Sequence, residues 1–246
     1  MALANPAKVI TVFTGKEKHF MQIKIQQLTK IYKEKRGLLP IDLEVEEGEL
    51  IALIGHNGAG KSTLLKLLAG WLIPDRGQVF VDGINLKNRL AVVRKIGFVP
   101  ETPNLFDFFT VGYNLRLFAR LFQIPFQRIE EILKAFNLTA FRNNKVQVLS
   151  KGLKQRVSIG RTLLADPPVL LFDEPTSGID FDMTKEIYRL LTEFHRAGKT
   201  IIFTSHRPEE IKTLATRIIV LHQGDMVFDG SPQTYFQSEI HEKLYQ

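Results

Sequence analysis

Cysteine is absent from the 246 residues of the chain. Disulfides, thiolate catalysis and cysteine-ligated zinc or iron–sulfur centres are therefore excluded, and a reducing compartment is permitted. Long apolar runs are also missing, since no stretch approaches the roughly 18 apolar residues of a membrane-spanning helix. Any role at a membrane would depend on a partner that spans it.

Clustered charge is lacking as well. The net charge is +7, but the Lys and Arg residues are scattered along the chain and form no single basic segment. Such an excess permits an acidic partner, either nucleic acid or anionic lipid head groups, although a nucleic-acid surface is usually clustered. We expect a solvated basic surface and no nucleic-acid partner.

Residues 1–20 carry no pattern typical of a folded element. Their apolar stretch, Val9 to Phe13, is interrupted by Thr11 and is shorter than the ~7 to 15 apolar residues of a secretory signal. We interpret 1–20 as an N-terminal extension or tag. One domain is expected over residues 21–246.

Strand and helix patterns alternate along this domain. Apolar and polar residues alternate over 21–26 and 41–46, which predicts half-buried antiparallel strands, and the apolar run Leu50 to Ile54 predicts a strand buried on both faces. A helix follows from Lys61 to about Ala69. Further predicted strands cover 79–81, 96–99, 169–172, 200–204, 217–221 and 225–229, and further predicted helices cover 182–195, 208–214 and the residues after Pro232. This order predicts an α/β fold with a largely parallel sheet between helices.

The periodicity becomes helical from Thr110 to about Arg142, and we predict a helical subdomain over about residues 102–165, inserted into the core. Two apolar faces are expected within it. One face contains Leu115, Phe118, Leu121 and Phe122, and the other contains Ile129, Ile132, Leu133 and Phe136.

One glycine-rich segment carries a strong chemical signal: Gly55-His56-Asn57-Gly58-Ala59-Gly60-Lys61-Ser62. It fits the phosphate-loop pattern of Gly, four residues, Gly, Lys and Ser or Thr, between a buried strand and a helix. Glycines let backbone N–H groups converge on phosphates, and the helix N-terminus favours the anion. We expect Mg-ATP here, with Lys61 on the β and γ phosphates and Ser62 on Mg²⁺. The alternative is a structural glycine-rich turn.

Two adjacent carboxylates end the apolar strand predicted at 169–172. Asp173 would project from the carboxyl edge of the sheet, where open α/β sheets bind ligands, and is expected to hold Mg²⁺ through water. Glu174 is placed to orient and deprotonate an attacking water, because γ-phosphate hydrolysis needs in-line attack and little covalent help from the protein. A solvated strand end is the alternative.

With the loop, which continues to Thr63, two further segments form an ordered set of motifs. They read Leu149-Ser150-Lys151-Gly152-Leu153-Lys154-Gln155-Arg156 and Leu170-Leu171-Phe172-Asp173-Glu174-Pro175-Thr176-Ser177-Gly178-Ile179-Asp180. From about Met21 to Gly230 the chain resembles the ATPase subunit of an ABC transporter. The resemblance implies a P-loop NTPase core with a mixed or parallel sheet, an antiparallel β subdomain and a helical subdomain.

The resemblance also implies a site shared between two ATPase subunits, a homodimer or a heterodimer. Tyr32 matches an aromatic residue that stacks on adenine, although a strand-edge tyrosine is an alternative. The signature motif, which binds the γ phosphate held by the other subunit, corresponds to Ser150, Lys151, Gly152 and Leu153. Asp180 matches the segment for communication across the dimer, and His206 matches the histidine that contacts the γ phosphate and the attacking water.

Two positions depart from the common family pattern. Glu101 stands where a glutamine senses Mg²⁺ and water, and a carboxylate can still ligate magnesium. The signature lacks its first glycine and its glutamine, since Lys151 and Leu153 replace them. Both departures resemble drug-resistance-type exporters, in which separate permease proteins form the membrane pathway. The resemblance thus implies export and a cytoplasmic location, on the inner face of the membrane.

An aromatic cluster follows Glu101, at Phe106, Phe108, Phe109, Tyr113, Phe118 and Phe122. In the family, this region receives a short helix from the membrane partner. We expect some rings to be core and at least one or two of Phe106 to Phe109 to be exposed as a docking patch.

Two alternatives to a transport motor are open. One is a non-transport ABC ATPase acting in translation, cluster assembly or DNA maintenance, and the single cassette without a long insert argues against it. The other is a nucleotide-regulated binding module without turnover. The presence of both Glu174 and His206 favours an enzyme over that module.

Overall fold

The computed structural model describes residues 21–33 and 37–244, so the prediction for residues 1–20 lies outside the described part of the chain. The strands are β1 Met21–Ile31, β2 Gly37–Glu46, β3 Leu50–Ile54, β4 Arg76–Val81, β5 Ile84–Asn85, β6 Ile96–Val99, β7 Val169–Phe172, β8 Thr200–Thr204, β9 Arg217–His222 and β10 Asp225–Gly230. The helices are α1 Lys61–Leu68, α2 Arg89–Val92, α3 Val111–Leu121, α4 Gln127–Ala135, α5 Lys151–Thr162, α6 Phe181–Arg196, α7 Pro208–Leu214, α8 Pro232–Phe236 and α9 Glu239–Leu244.

The smaller sheet is antiparallel, with strand order β2-β1-β4-β5. In β2, Ile41, Leu43 and Val45 are buried while the acidic residues between them are exposed. This alternation buries one face of the strand and leaves the other in water. The prediction of half-buried antiparallel strands at 21–26 and 41–46 is therefore confirmed.

The larger sheet has the order β10-β9-β3-β8-β7-β6, and all its pairs are parallel except β9 with β10. All five residues of β3 are buried. Leu50, Ala52 and Ile54 belong to one apolar cluster, which includes α3 to α7. Ile51 and Leu53 belong to the other, with α1 and the smaller sheet. The strand that leads into the glycine loop thus lies between two cores, as its continuous apolar run predicts.

Helices α3, α4 and α5 occupy the segment between β6 and β7. The predicted apolar face of α4 is confirmed, since Ile129, Ile132, Leu133 and Phe136 are buried. The face predicted for α3 is wrong at Leu121, which is 66% exposed. A helix turns by roughly 100° per residue, so Leu121 points about 120° away from Leu115.

Candidate functional site

The glycine loop joins β3 to α1 and needs glycine at both of its ends. A Cβ on Gly55, whose φ is +149°, would lie 2.2 Å from the backbone oxygen of Leu221 in β9. Gly60 has a φ of +106° and precedes the first residue of α1. Side chains disfavour such backbone angles and such close approach. The loop therefore lies tightly against β9, with its backbone turned for the start of α1.

The N-terminus of α1 has no side-chain cap. The first N–H groups of a helix have no partner within the helix, and the helix dipole is positive at this end. The first intrahelical bond is donated by Leu64 to the carbonyl of Gly60. Residues 61–63 therefore present their amides at an anion-binding end, where a phosphate group is favoured.

The side chain of Lys61 folds back over the loop. Its Nζ donates to the backbone oxygens of Gly55 and His56 at 2.7 and 3.2 Å. Burial lowers the pKa of Lys61, while the carboxylates of Glu174 and Asp173 act in the opposite direction. A largely buried ammonium attracts a phosphate strongly, and the two carboxylates beside it offset part of that attraction.

The turn between β9 and β10 supports the loop from behind. The N–H of Gly224 donates to the backbone oxygen of Ala59 at 3.0 Å, and the N–H of Leu39 donates to the backbone oxygen of Gly224 at 2.8 Å. These bonds join the loop to β2 through a turn that lies far along the chain. The loop conformation is thus imposed by tertiary contacts as well as by its own glycines.

Asp173 joins the strand edge to the loop. Its Oδ1 accepts from Ser62 Oγ at 3.0 Å and from Thr204 Oγ1 at 2.8 Å. The side chain of Asp173 is buried, and its strand β7 pairs with β8, which ends at Thr204. The structure therefore brings Ser62 and Asp173 together, as the sequence predicts.

Glu174 and His206 form a contact at the same edge of the sheet. Glu174 Oε2 lies 2.9 Å from His206 Nδ1, and the Glu174 side chain is mostly buried while that of His206 is exposed. The backbone N–H of Glu174 donates to Thr204 Oγ1 at 2.7 Å. Glu174 has a φ of +47°, a strained conformation of the kind that concentrates at functional sites. Two residues predicted from distant motifs are thus in direct contact.

Glu101 and Tyr32 lie at the margins of this arrangement. Glu101 is exposed and accepts from Ser177 Oγ at 3.0 Å, three residues beyond Glu174. Tyr32 is also exposed. It directly follows Ile31, the last residue of β1, which pairs with Gly37. The Gly37 backbone oxygen would lie 3.2 Å from a Cβ on Gly60. Tyr32 therefore directly follows a strand end whose pairing partner lies next to the glycine loop.

The signature residues contact the segment beyond Glu174. Ser150 caps α5, because its Oγ accepts from the Leu153 N–H at 3.3 Å. A Cβ on Gly152 would lie 2.9 Å from Met183 Cε, and one on Gly178 would lie 2.5 Å from Lys151 Nζ. Within the described residues, no hydrogen bond joins the signature to the glycine loop. Ser150 and Lys151 are both exposed at the start of α5.

Asp180 begins α6 as its N-cap. Its Oδ1 accepts from the Met183 N–H at 2.8 Å, which satisfies one of the donors left open at a helix start. The backbone oxygen of Asp180 also accepts from Thr184 Oγ1 at 2.9 Å. The residue predicted to act across a dimer thus has a local structural role as well.

Sequence reasoning gave no role to three residues that connect these parts. Thr204 contacts both Asp173 and Glu174, Gln155 donates from α5 to the backbone oxygen of Pro175 at 3.3 Å, and Glu210 is buried on α7. A signal for Glu210 exists, because it lies four residues before the buried Leu214 and thus on the apolar face of α7. Thr204 ends β8, and Asp173 directly follows the neighbouring strand β7. Only the strand order makes the position of Thr204 informative.

The early aromatic rings are exposed, as predicted. Phe106, Phe108 and Phe109 are 46%, 77% and 47% exposed, and Tyr113 stacks on Phe109 with ring centroids 4.4 Å apart. Phe118 and Phe122 are half-buried. An open cleft beside them is lined by Trp71, Phe98, Phe106, Phe118, Phe122 and Arg161, among others.

Comparison with known proteins decides the family. A family model described as ABC transporter matches residues 38–177. The "ABC transporter ATP-binding protein NatA" of Bacillus subtilis (strain 168) is 36% identical over 228 residues, which are 90% of this chain and 91% of that protein. The chain belongs to the ABC transporter family.

Further similarities agree with this ABC transporter assignment. The "Nod factor export ATP-binding protein I" of Neorhizobium galegae is 35% identical over 225 residues, covering 89% of this chain and 65% of that protein. A solved dimeric ATP-binding cassette, in a post-hydrolysis state bound to ADP and Pi, has a TM-score of 0.77 and 31% identity, covering 85% of this chain and 98% of that one. The predicted fold class is confirmed.

Membership of the ABC transporter family makes the chain an ATPase subunit that works in transport with partner subunits. The matched family and the two named relatives are transport proteins, which favours transport over translation, cluster assembly or DNA maintenance. Over residues 21–33 and 37–244, no helix has both the length and the apolar character to cross a membrane.

Proposed function

We propose that residues 55–63 of this subunit bind Mg-ATP and that Glu174 acts as the general base in its hydrolysis. The contact between Glu174 Oε2 and His206 Nδ1, at 2.9 Å, carries the proposal. A general base must be within reach of its proton and is commonly oriented by another group. Glu174 directly follows the carboxylate that contacts the loop serine, so the pair stands beside the expected γ phosphate.

Binding exchanges the acceptors of Lys61. Its ammonium, now bonded to the backbone oxygens of Gly55 and His56, would donate to the β and γ phosphates. The amides at the start of α1 would donate to the same anion, and Tyr32 would stack on the adenine. Glu174 would accept the proton of the attacking water while His206 holds that carboxylate and contacts the γ phosphate. This is catalysis by positioning and electrostatics.

The residues present fit a magnesium ion. Ser62 Oγ and Asp173 Oδ1 are hard oxygen donors that already converge at 3.0 Å, and Glu101 is a further proposed ligand. The described residues contain no group of three His, Cys, Asp or Glu side chains that would form a protein cage. Mg²⁺ usually takes few side chains and completes its shell with water and substrate phosphates. When bound, it would supply positive charge that offsets the negative charge of the phosphates.

Steady-state ATP hydrolysis by Glu174→Gln tests the proposal. Loss of a general base should lower kcat by at least about 100-fold, while nucleotide binding should persist because the loop is unchanged. Glu209→Gln is the matched control, since Glu209 is exposed three residues after His206 and, within the described residues, its side chain makes no hydrogen bond or ion pair with the site. Near-wild-type turnover in Glu174→Gln would contradict the assignment.

We further propose that the site is completed by a second ATPase subunit. Within the described residues, Ser150, Lys151, Gly152 and Leu153 make no hydrogen bond with the loop of their own chain, and Ser150 and Lys151 are exposed at the N-terminus of α5. A hydroxyl and a cation at a helix start favour an anion. These residues would bind the γ phosphate held by the partner, and Asp180 would take part in communication between the two subunits.

The third part of the proposal is export through a membrane permease. Phe106 lines the cleft, Phe108 and Phe109 are exposed close to it in the sequence, and contiguous exposed apolar surface usually marks an interface. We assign this surface to a permease, so that the subunit is peripheral on the cytoplasmic face of the membrane. The departures at Glu101 and Lys151 and the name of the Nod factor relative support export.

Co-purification with the membrane fraction tests the permease contact. Phe108→Asp should release the subunit into the soluble fraction without changing its own ATP hydrolysis. Val227→Asp is the control, because Val227 is an exposed apolar residue on β10, outside both the aromatic cluster and the cleft. Equal release by both variants, or recovery of the wild type only with ribosomes or DNA, would contradict the proposal.

A further inference from the structure

Helix α7 carries a carboxylate outside the proposed catalytic set. Glu210 is 0% exposed, whereas Glu209 beside it is exposed. Burial raises the pKa of Glu210, because the charged form loses solvation. Buried ionisable groups are weak contributors to stability. A role for Glu210 must therefore come from the groups that its side chain contacts.

One oxygen of Glu210 collects hydroxyl groups from two different segments. Thr176 Oγ1 donates to Glu210 Oε2 at 3.0 Å, and Ser205 Oγ donates to the same oxygen at 2.7 Å. All three residues are buried. Glu210 Oε1 has no hydrogen-bond partner within the described residues. The connection that Glu210 makes between the two segments thus depends on Oε2 alone.

The two hydroxyls lie next to the proposed catalytic pair. Thr176 is two residues beyond Glu174, and Ser205 directly precedes His206. Ser205 Oγ also accepts from the backbone N–H of the residue after His206, at 3.0 Å. The backbone is therefore held on both sides of His206 by a single hydroxyl that is itself fixed by the α7 carboxylate.

The same two segments are also connected at the ends of strands β7 and β8. There the Glu174 N–H donates to Thr204 Oγ1 at 2.7 Å. The segment 174–176 and the loop 204–207 are thus joined twice, once through Thr204 at the strand ends and once through Glu210. Two separate joins remove the freedom of one segment to pivot on the other.

We propose that Glu210 is a positioning residue that clamps segment 174–176 to loop 204–207 and so sets the geometry of Glu174 against His206. The inference rests on the roles proposed above for those two residues. Misplacement of a reacting group by about 1 Å can cost up to about 100-fold in rate. Loss of the clamp should therefore act on turnover and leave nucleotide affinity alone.

Steady-state kinetics of the full chain with Mg-ATP test the clamp. Glu210→Ala should lower kcat at least about tenfold, with KM for ATP within about twofold of wild type. Glu210→Gln should recover most of the loss, because an amide oxygen can still accept from both hydroxyls. Glu209→Ala is the matched control and should behave as wild type.

A second variant guards against misfolding of Glu210→Ala. Thr176→Val keeps side-chain volume and removes one of the two donors, so its kcat should fall between those of wild type and Glu210→Ala. Thermal unfolding of each variant reports whether the fold is retained. Wild-type kcat in folded Glu210→Ala and in Thr176→Val, or a rise in KM in place of a fall in kcat, would overturn the proposal.

A double-mutant cycle separates positioning from general destabilisation. In a His206→Ala background, Glu210→Ala should add little further loss, since a clamp acts through the residue it positions. Fully additive losses would overturn the clamp while leaving the role of His206 intact. Wild-type turnover in Glu174→Gln or in His206→Ala alone would instead contradict the proposed catalytic roles. Because the clamp rests on those roles, that result would also overturn the clamp, whatever the effect of Glu210→Ala.

Discussion

At the scale of single residues, Glu210 connects stability to pH. Its pKa is raised above the ordinary value of 4.5 chiefly by burial, with a smaller contribution from Glu174, while Ser205, Thr176 and Arg207 act in the opposite direction. Well below pH 4.5 the group is protonated in both states. As the pH rises through that value the unfolded chain ionises first, so stability is lost until the folded group ionises as well.

The stability difference between Glu210→Gln and wild type should therefore depend on pH. As the pH rises above 4.5, the ordinary pKa, the difference in unfolding free energy should shift in favour of the variant, because glutamine does not titrate. Urea unfolding over about pH 4 to 8 measures it. Glu209→Gln, at an exposed position, should show a nearly constant difference, and parallel curves for both variants would contradict the expectation.

The loop residues could be predicted from sequence because their chemistry is contained in consecutive positions. Gly55, Gly60 and Lys61 carry the turn, the helix start and the cation within one short segment. The contacts of Thr204 and Glu210 could not be predicted, since they span 31 and 34 residues. Those contacts depend on which strands are neighbours and in which register, and local periodicity contains neither.

At the scale of elements, Asp180 has two roles that can be measured separately, helix capping and the proposed contact across a dimer. Removal of a helix N-cap costs about 1 kcal/mol, so Asp180→Ala should lower the unfolding free energy by about that amount. Asp180→Asn should restore stability, because asparagine also caps. If the charge acts across a dimer, Asp180→Asn will remain impaired in ATP hydrolysis although it is stable. Urea unfolding and ATP turnover, measured on the same samples, distinguish the two, and wild-type turnover in Asp180→Asn would confine the residue to capping.

The contact between α4 and α5 gives a second test at this scale. Alanine is favoured over glycine within a helix by about 1 kcal/mol, but a Cβ on Gly160 would lie 2.8 Å from Ile132 Cγ2. Overpacking costs typically about 1 to 3 kcal/mol, so Gly160→Ala should destabilise the fold. In the Ile132→Ala background the same change should be neutral or stabilising. Thermal or urea unfolding of the four chains measures this coupling, and an equal effect in both backgrounds would contradict it.

The predicted elements failed mainly where periodicity breaks. The alternating pattern of β1 was expected to end at residue 26, yet the strand continues to Ile31. A register shift follows Ile25, and Gln27 has a φ of +47°. A β-bulge of this kind reverses which residues face the core. Strand prediction from alternating apolar and polar residues therefore ends at the bulge, although the strand itself continues.

At the scale of the whole molecule, hydrolysis should depend on association. If the signature residues of one subunit complete the site of another, turnover per subunit should rise steeply with protein concentration, while nucleotide binding should not. Glu174→Gln should accumulate as an ATP-bound dimer in size-exclusion chromatography, because closure occurs without hydrolysis. A turnover number that is independent of concentration, measured on confirmed monomer, would contradict the shared site.

The position of β3 has a consequence for how the protein is made. β3 leads into the nucleotide loop, but Leu50 pairs with Ile201 and Ile51 pairs with Arg217. Chains leave the ribosome N-terminus first, at about 5 to 20 residues per second. The loop is thus synthesised many seconds before either strand that flanks it. A ribosome stalled after β7 would hold a nascent chain that contains the whole glycine segment but lacks both strands that flank β3, so ATP binding would have to wait for β8 and β9.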